Sequence, residues 1–250
     1  MSAAVDTILA NLKIVADERT HRALEAGLAP KVAALKEFQQ RRFSHTYADL
    51  LLTARYTAAA RFFLDELYGP NDFSHRDAQF ARVLPALVRL FPTEVVQTVE
   101  ALAQLHALSE TLDTAMAAHI RQMPITGHDY IRAWQKTGRA VGRDLQIGLT
   151  LEVATRLDRV TRTPLLHNSL RLMRGPARAA GLAELQRFLE AGFATFRAMR
   201  GAREFIEIIE ARERALAFSL FSANASDVGT DSTTARALGN LPGMLPLIEG

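Results

Sequence analysis

The chain has no cysteine among its 250 residues, which excludes disulfides, thiolate zinc sites, iron–sulfur clusters and cysteine nucleophiles. Uncharged apolar runs stop well short of the roughly 18 residues that a membrane-spanning helix needs. Residues 1–19 carry Asp6, Lys13, Asp17 and Glu18 and have no apolar core, so no signal peptide is expected. Alternating apolar and polar runs of the β type are missing. So are a Gly-rich phosphate loop, a dinucleotide-binding glycine fingerprint, a Gly-x-Ser-x-Gly elbow and a His-Glu-x-x-His pair. A di-iron bundle wants two Glu-x-x-His motifs on facing helices. Only Glu18 with His21 supplies one, since Asp72 and His75 fall in a turn, so no metal site is expected.

What is present reads as helix almost throughout. Apolar residues recur at three and four, and Gly and Pro fall at intervals that suit helix ends. Helices are expected at about 6–28, from Pro30 to about 43, at 55–68, from 74 with Pro85 as a kink or break, at 93–122, from 127, from Pro164, and at 182–199 and 202–221. Ser74 with Asp77, and Thr126 with Asp129, are capping patterns in which the first side chain and the third-position carboxylate satisfy each other's backbone donors. Gly138 and Gly142, four apart, offer a smooth patch for close helix approach. The expectation is an all-α bundle of about eight to ten helices in one domain, 1–222. A Ser-, Thr-, Gly- and Ala-rich linker and an apolar tail follow at 223–250.

Charge is unevenly placed. The net charge is +3, yet residues 119–203 hold 15 basic and 6 acidic residues, while 204–250 hold 3 and 7. Nearly all the cations are arginine, whose planar fork suits carboxylates and phosphates. Arg156, Arg159, His167, Arg171 and Arg174 are candidates for an anion-binding patch; the alternative is a solvated face paired with acidic helices. Nucleic acid is not an expected partner, because Trp134 is the single tryptophan and no helix-turn-helix is evident.

The helix at 93–122 carries the most chemistry. Val95, Val99, Leu102, Leu105, Leu112 and Met116 form its apolar stripe, and His106, Ser109 and Asp113 lie on or beside that stripe. Buried polar groups must be satisfied, at about 1–3 kcal/mol each. The trio therefore either faces a ligand pocket or forms a buried network that fixes helix register. In an enzyme, His106 and Asp113 around Ser109 would be the first suspects.

Three resemblances follow from particular stretches. ALAQLHALS at 101–109 is similar to the globin helix that offers a haem-binding histidine; this implies His106 as axial ligand, Phe62 or Phe63 wedged against the haem, and arginines at the propionates. LPGMLPLI at 241–248, after its spacer, resembles in layout the cargo-loading tails of proteins packaged in bacterial shells. Leu241, Met244, Leu245, Leu247 and Ile248 would then meet another protein, or else a groove of the chain's own bundle. RFFLDELYGPNDFSHRDAQ at 61–79, with LHALSETLD at 105–113, resembles an uncharacterised all-helical family of proteobacteria over about 43–220, which implies the fold and no activity. In the first of these stretches Tyr68, Asp72, Arg76 and Asp77 form a polar elbow.

The reading is a non-enzymatic helical binding or interaction protein, cytoplasmic, bacterial and a candidate homodimer. The alternative is a sensor or carrier for haem or another hydrophobic anion in a pocket beside His106.

Overall fold

The computed structural model of the chain describes residues 3–67 and 73–223. Within them are α1 (Ala3–Leu24), α2 (Leu28–Thr46), α3 (Ala48–Leu52), α4 (Thr57–Phe62), a π-helical turn (Phe63–Leu67), α5 (Ser74–Leu90) and α6 (Thr93–Ala117). The second half holds α7 (Gly127–Thr137), α8 (Ala140–Val160), α9 (Pro164–Leu172), α10 (Arg174–Ala179), α11 (Ala183–Ala198) and α12 (Arg203–Ser222). No strand occurs among the described residues. The all-α bundle expected from periodicity is thus observed, and three of its twelve helices are single short turns of five or six residues.

Local chemistry explains several boundaries. Thr126 caps α7: its Oγ1 accepts from the Asp129 backbone N–H at 3.2 Å, and Asp129 Oδ2 accepts from the Thr126 N–H at 3.2 Å. Burial raises the Asp129 carboxyl pKa, but the Thr126 bonds outweigh this and hold it below the usual range. The parallel expectation at Ser74 and Asp77 is not met. Phe73 precedes α5 without a side-chain cap, because Asp77 is turned inward to Arg19 and His106. Helix α5 runs through Pro85 without a break. Nor do Gly138 and Gly142 make one smooth patch. Gly138 ends α7 at φ 62°, where glycine carries no Cβ penalty, and a Cβ there would meet nothing within 4 Å.

Helix α6 is the axis of the bundle, packed by α1 along one side and α8 along another, with α2, α5 and α7 around it. Its stripe is therefore not one-sided. Ala101, Ala103, Ala107 and Ala117 are buried on different sides, and Thr98, Glu110, Asp113 and Thr114 are buried with them. Small side chains all round the helix let five neighbours approach it.

Apolar side chains collect in three clusters. Leu35 and Phe38 of α2 join Tyr130 and Trp134 of α7 and Leu216 and Leu220 of α12. Phe43 and Tyr47 join Phe63, Phe196 and Phe205. Val5 and Ile8 of α1 join Leu84 and Ala103. The rings pack in contact, with Phe38 stacked on Tyr130 at 4.7 Å between centroids and Phe63 5.9 Å from Phe205.

Candidate functional site

The three clusters do not close on each other. Between them lies a cavity of about 200 Å³ that touches α1, α2, α5, α6, α7, α8, α11, α12 and the π-helical turn. Phe63, Leu12 and Leu220 mark how it reaches all three clusters. His106, Ser109 and Asp113 all line it.

The three do not bond one another; each is tied to a different helix. His106 Nε2 lies 3.2 Å from Asp77 Oδ2 of α5. Ser109 Oγ accepts from Gln146 Nε2 of α8 at 2.8 Å. Asp113 Oδ1 accepts from Gln39 Nε2 of α2 at 3.0 Å. The trio thus lines the cavity and also ties α6 to three neighbouring helices.

Around the trio is a set of buried charges that periodicity alone does not single out. Arg22 of α1 donates from Nη1 to Glu110 Oε2 at 2.5 Å, from Nη2 to the Glu110 carbonyl at 2.7 Å, and from Nε to Thr114 Oγ1 at 2.8 Å. Lys36 of α2 reaches Glu110 Oε1 at 2.6 Å. Burial pushes the Glu110 carboxyl up, yet Lys36 and Arg22 overturn that and hold it at about 2. Asp113, one turn on, goes the other way: burial and the neighbouring Glu110 charge raise it, against the pull of Lys36 and Arg143. Asp77 is raised by burial but lowered more by His106 and by Arg19, whose Nη2 is 2.8 Å away.

Further along, Arg42 of α2 pairs with Glu213 of α12, whose same oxygen accepts from Tyr47 at 2.7 Å. Arg143 of α8 lies over the Trp134 ring, 4.1 Å from its centroid, and donates to Gln146 Oε1 at 3.0 Å. Arg76 is sandwiched between Phe73 and Phe188, 3.9 and 4.1 Å from their centroids.

The Arg42–Glu213 pair has a signal in the sequence. On α2 the buried stripe Leu28, Val32, Leu35, Phe38 continues at the same spacing to Arg42. On α12 Glu213 falls between Ile209 and Leu216. A charge on an apolar stripe is the signal of a buried pair.

The remaining candidate residues fare differently. Phe63 lines the cavity, whereas Phe62 stacks on Phe188 at 5.6 Å and presses on Gly192. Two of the basic residues are paired. Arg156 turns to Glu152 at 2.8 Å and to Gln97 at 3.1 Å, while Arg174 grips Glu190 of α11 with Nε and Nη2 at 2.7 and 2.6 Å. Arg159 and Arg171 are exposed. The side chain of His167 lies outside the described residues, as do Tyr68 and Asp72 of the elbow and Leu241, Met244, Leu245, Leu247 and Ile248 of the tail.

Among the described residues no group of three or more His, Asp or Glu could hold a metal ion, and no helix is long and apolar enough to cross a membrane. No curated protein and no solved structure matches the chain. A family model does, over residues 18–227, which takes in every helix around the cavity but the first turns of α1, and the chain therefore belongs to the family described as a domain of unknown function, DUF8198.

Proposed function

We propose that the chain is a small-molecule-binding protein, a carrier or sensor that holds a hydrophobic ligand in the cavity beside α6. The observation that carries this reading is the cavity itself. Protein interiors pack with few voids larger than a water molecule. A space of about 200 Å³ is an exception to that rule, and a bound molecule would fill it. Ile147, Val153, Ile209 and Leu216 supply apolar wall beside the polar residues, and a pocket that combines apolar walls with placed polar groups is the usual form of a small-molecule site.

The polar groups support binding over catalysis. His106, Ser109 and Asp113 each answer to a separate helix, so the arrangement lacks the nucleophile–base–orienter chain that acyl or proton transfer calls for. Haem gains no support as the ligand. His106 Nε2 is turned to the Asp77 carboxylate, and Phe62 lies outside the cavity wall.

Thermal unfolding followed by far-UV circular dichroism tests the reading, with 1-octanol as probe. A ligand that binds only the folded chain raises Tm in a saturable way. The expected result is such a rise in the parent and its loss in Ala217→Leu, which adds bulk at the cavity wall. A parent Tm that stays flat or falls across the range overturns the reading.

A further inference from the structure

We infer that the cavity takes a medium-chain monocarboxylate, its head group received by Arg42 and Trp134. The inference rests on the cavity-binding reading above and adds the chemistry of the ligand. Two donors decide it. Arg42 Nε and Trp134 Nε1 are buried atoms without a hydrogen-bond partner, and both residues line the cavity. Arg42 is 6% exposed and Trp134 8%, so bulk water does not serve them. A buried donor without an acceptor is unfavourable, and an oxygen acceptor brought to it satisfies it.

The surrounding charge selects an anionic acceptor. Lys36, Arg42, Arg76 and Arg143 line the cavity opposite Asp77, Glu110, Asp113 and Glu213. Those charges balance, but Arg19 and Arg22 of α1 reach Asp77 and Glu110 in addition. At the donor end, the Arg143 guanidinium covers the Trp134 ring face, and the Tyr130 ring lies 6.1 Å from that of Trp134. Burial keeps the Tyr130 phenol protonated against the pull of Arg42 and Arg143, so it too presents a hydroxyl and not a phenolate.

Size selects the body. The wall of the cavity includes the aliphatic side chains of Val99, Leu102, Ile209 and Leu216. A volume of about 200 Å³ is too small for a long-chain acid and of the size of a medium-chain one, whose carboxylate is placed at Arg42 and Trp134.

Isothermal titration calorimetry of the full chain at neutral pH tests this with octanoate, 1-octanol and octylammonium. Octanoate is expected to bind one per chain and at least tenfold more tightly than 1-octanol, with octylammonium the weakest. Trp134→Phe keeps the ring and removes the N–H; it is expected to weaken octanoate about tenfold and leave 1-octanol within twofold. Arg42→Lys keeps a cation toward Glu213 and removes Nε, and is expected to give the same selective loss. Equal affinity for acid and alcohol overturns the carboxylate assignment while leaving the cavity reading intact. Binding of none of the three overturns both. Octanoate affinity unchanged in Trp134→Phe and in Arg42→Lys overturns the placement of the head group.

Discussion

Substituting Glu110 by Gln removes one buried charge and leaves two behind. In the parent, Arg22 and Lys36 converge on the Glu110 carboxylate from α1 and α2 at 2.5 and 2.6 Å, and this pair of contacts ties both helices to α6. Burial works against the ionised form, yet the two cations bring its pKa from 4.5 to about 2. At 1.36 kcal/mol per unit, that shift corresponds to about 3 kcal/mol of folding stability at neutral pH. A neutral amide cannot answer Arg22 and Lys36, and breaking a buried pair from one side costs about 3–5 kcal/mol. Both routes give the same order of magnitude, a large part of the ~5–15 kcal/mol that holds a domain folded. The pH dependence follows from the sign. The folded pKa lies below the unfolded one, so the contribution is fully present above 4.5 and fades as the pH falls from 4.5 toward 2. Urea unfolding of parent and Glu110→Gln, followed at 222 nm from pH 7 down to pH 3, is expected to show a gap of about 3 kcal/mol that narrows in acid. A gap below about 1 kcal/mol at pH 7, or one that does not shrink by pH 3, refutes the reasoning.

Three further outcomes follow from the same structure. Asp113→Asn is expected to stabilise the chain at pH 7 and to match the parent below pH 3.8, because burial raises the Asp113 pKa and its ionised form is the disfavoured one; a denaturation series across pH checks the sign. Thr126→Ala is expected to cost about 1 kcal/mol by removing the reciprocal cap of α7, read as a lower urea midpoint with unchanged slope. Gly192→Ala brings a Cβ to 3.0 Å from Phe62 Cζ and is expected to cost about 1–3 kcal/mol, with Phe62→Leu in the same chain recovering part of it.

The helices were legible because their apolar spacing and caps are local. Thr126 and Asp129 satisfy each other within one turn, so the sequence pattern and the geometry coincide. Ser74 and Asp77 carry the same pattern, but Asp77 finds Arg19 and His106, partners 58 and 29 residues away, and no local rule reports them. The apolar stripe of α6 pointed to the side that faces the cavity and so brought His106, Ser109 and Asp113 into view. The stripe did not report that alanines at 101, 103, 107 and 117 are buried as well, where five helices pack around α6. Arg22, Lys36 and Arg42 escaped notice because charges on helices usually face water, and their partners lie on helices distant in sequence. The cavity itself has no sequence signature. It is a gap between three clusters, set by how α1 and α8 pack on α6 and how α12 packs on α8.

The central claim, that this gap is a binding site, is tested most directly at Trp134, the single tryptophan of the chain, whose side chain lines it. Its emission is to be followed while octanoate or 1-octanol is added to the parent and to Ala217→Leu. The account predicts a saturable change at one molecule per chain in the parent that is lost in the variant. Emission that does not change in the parent, or that changes equally when the cavity is filled, contradicts it.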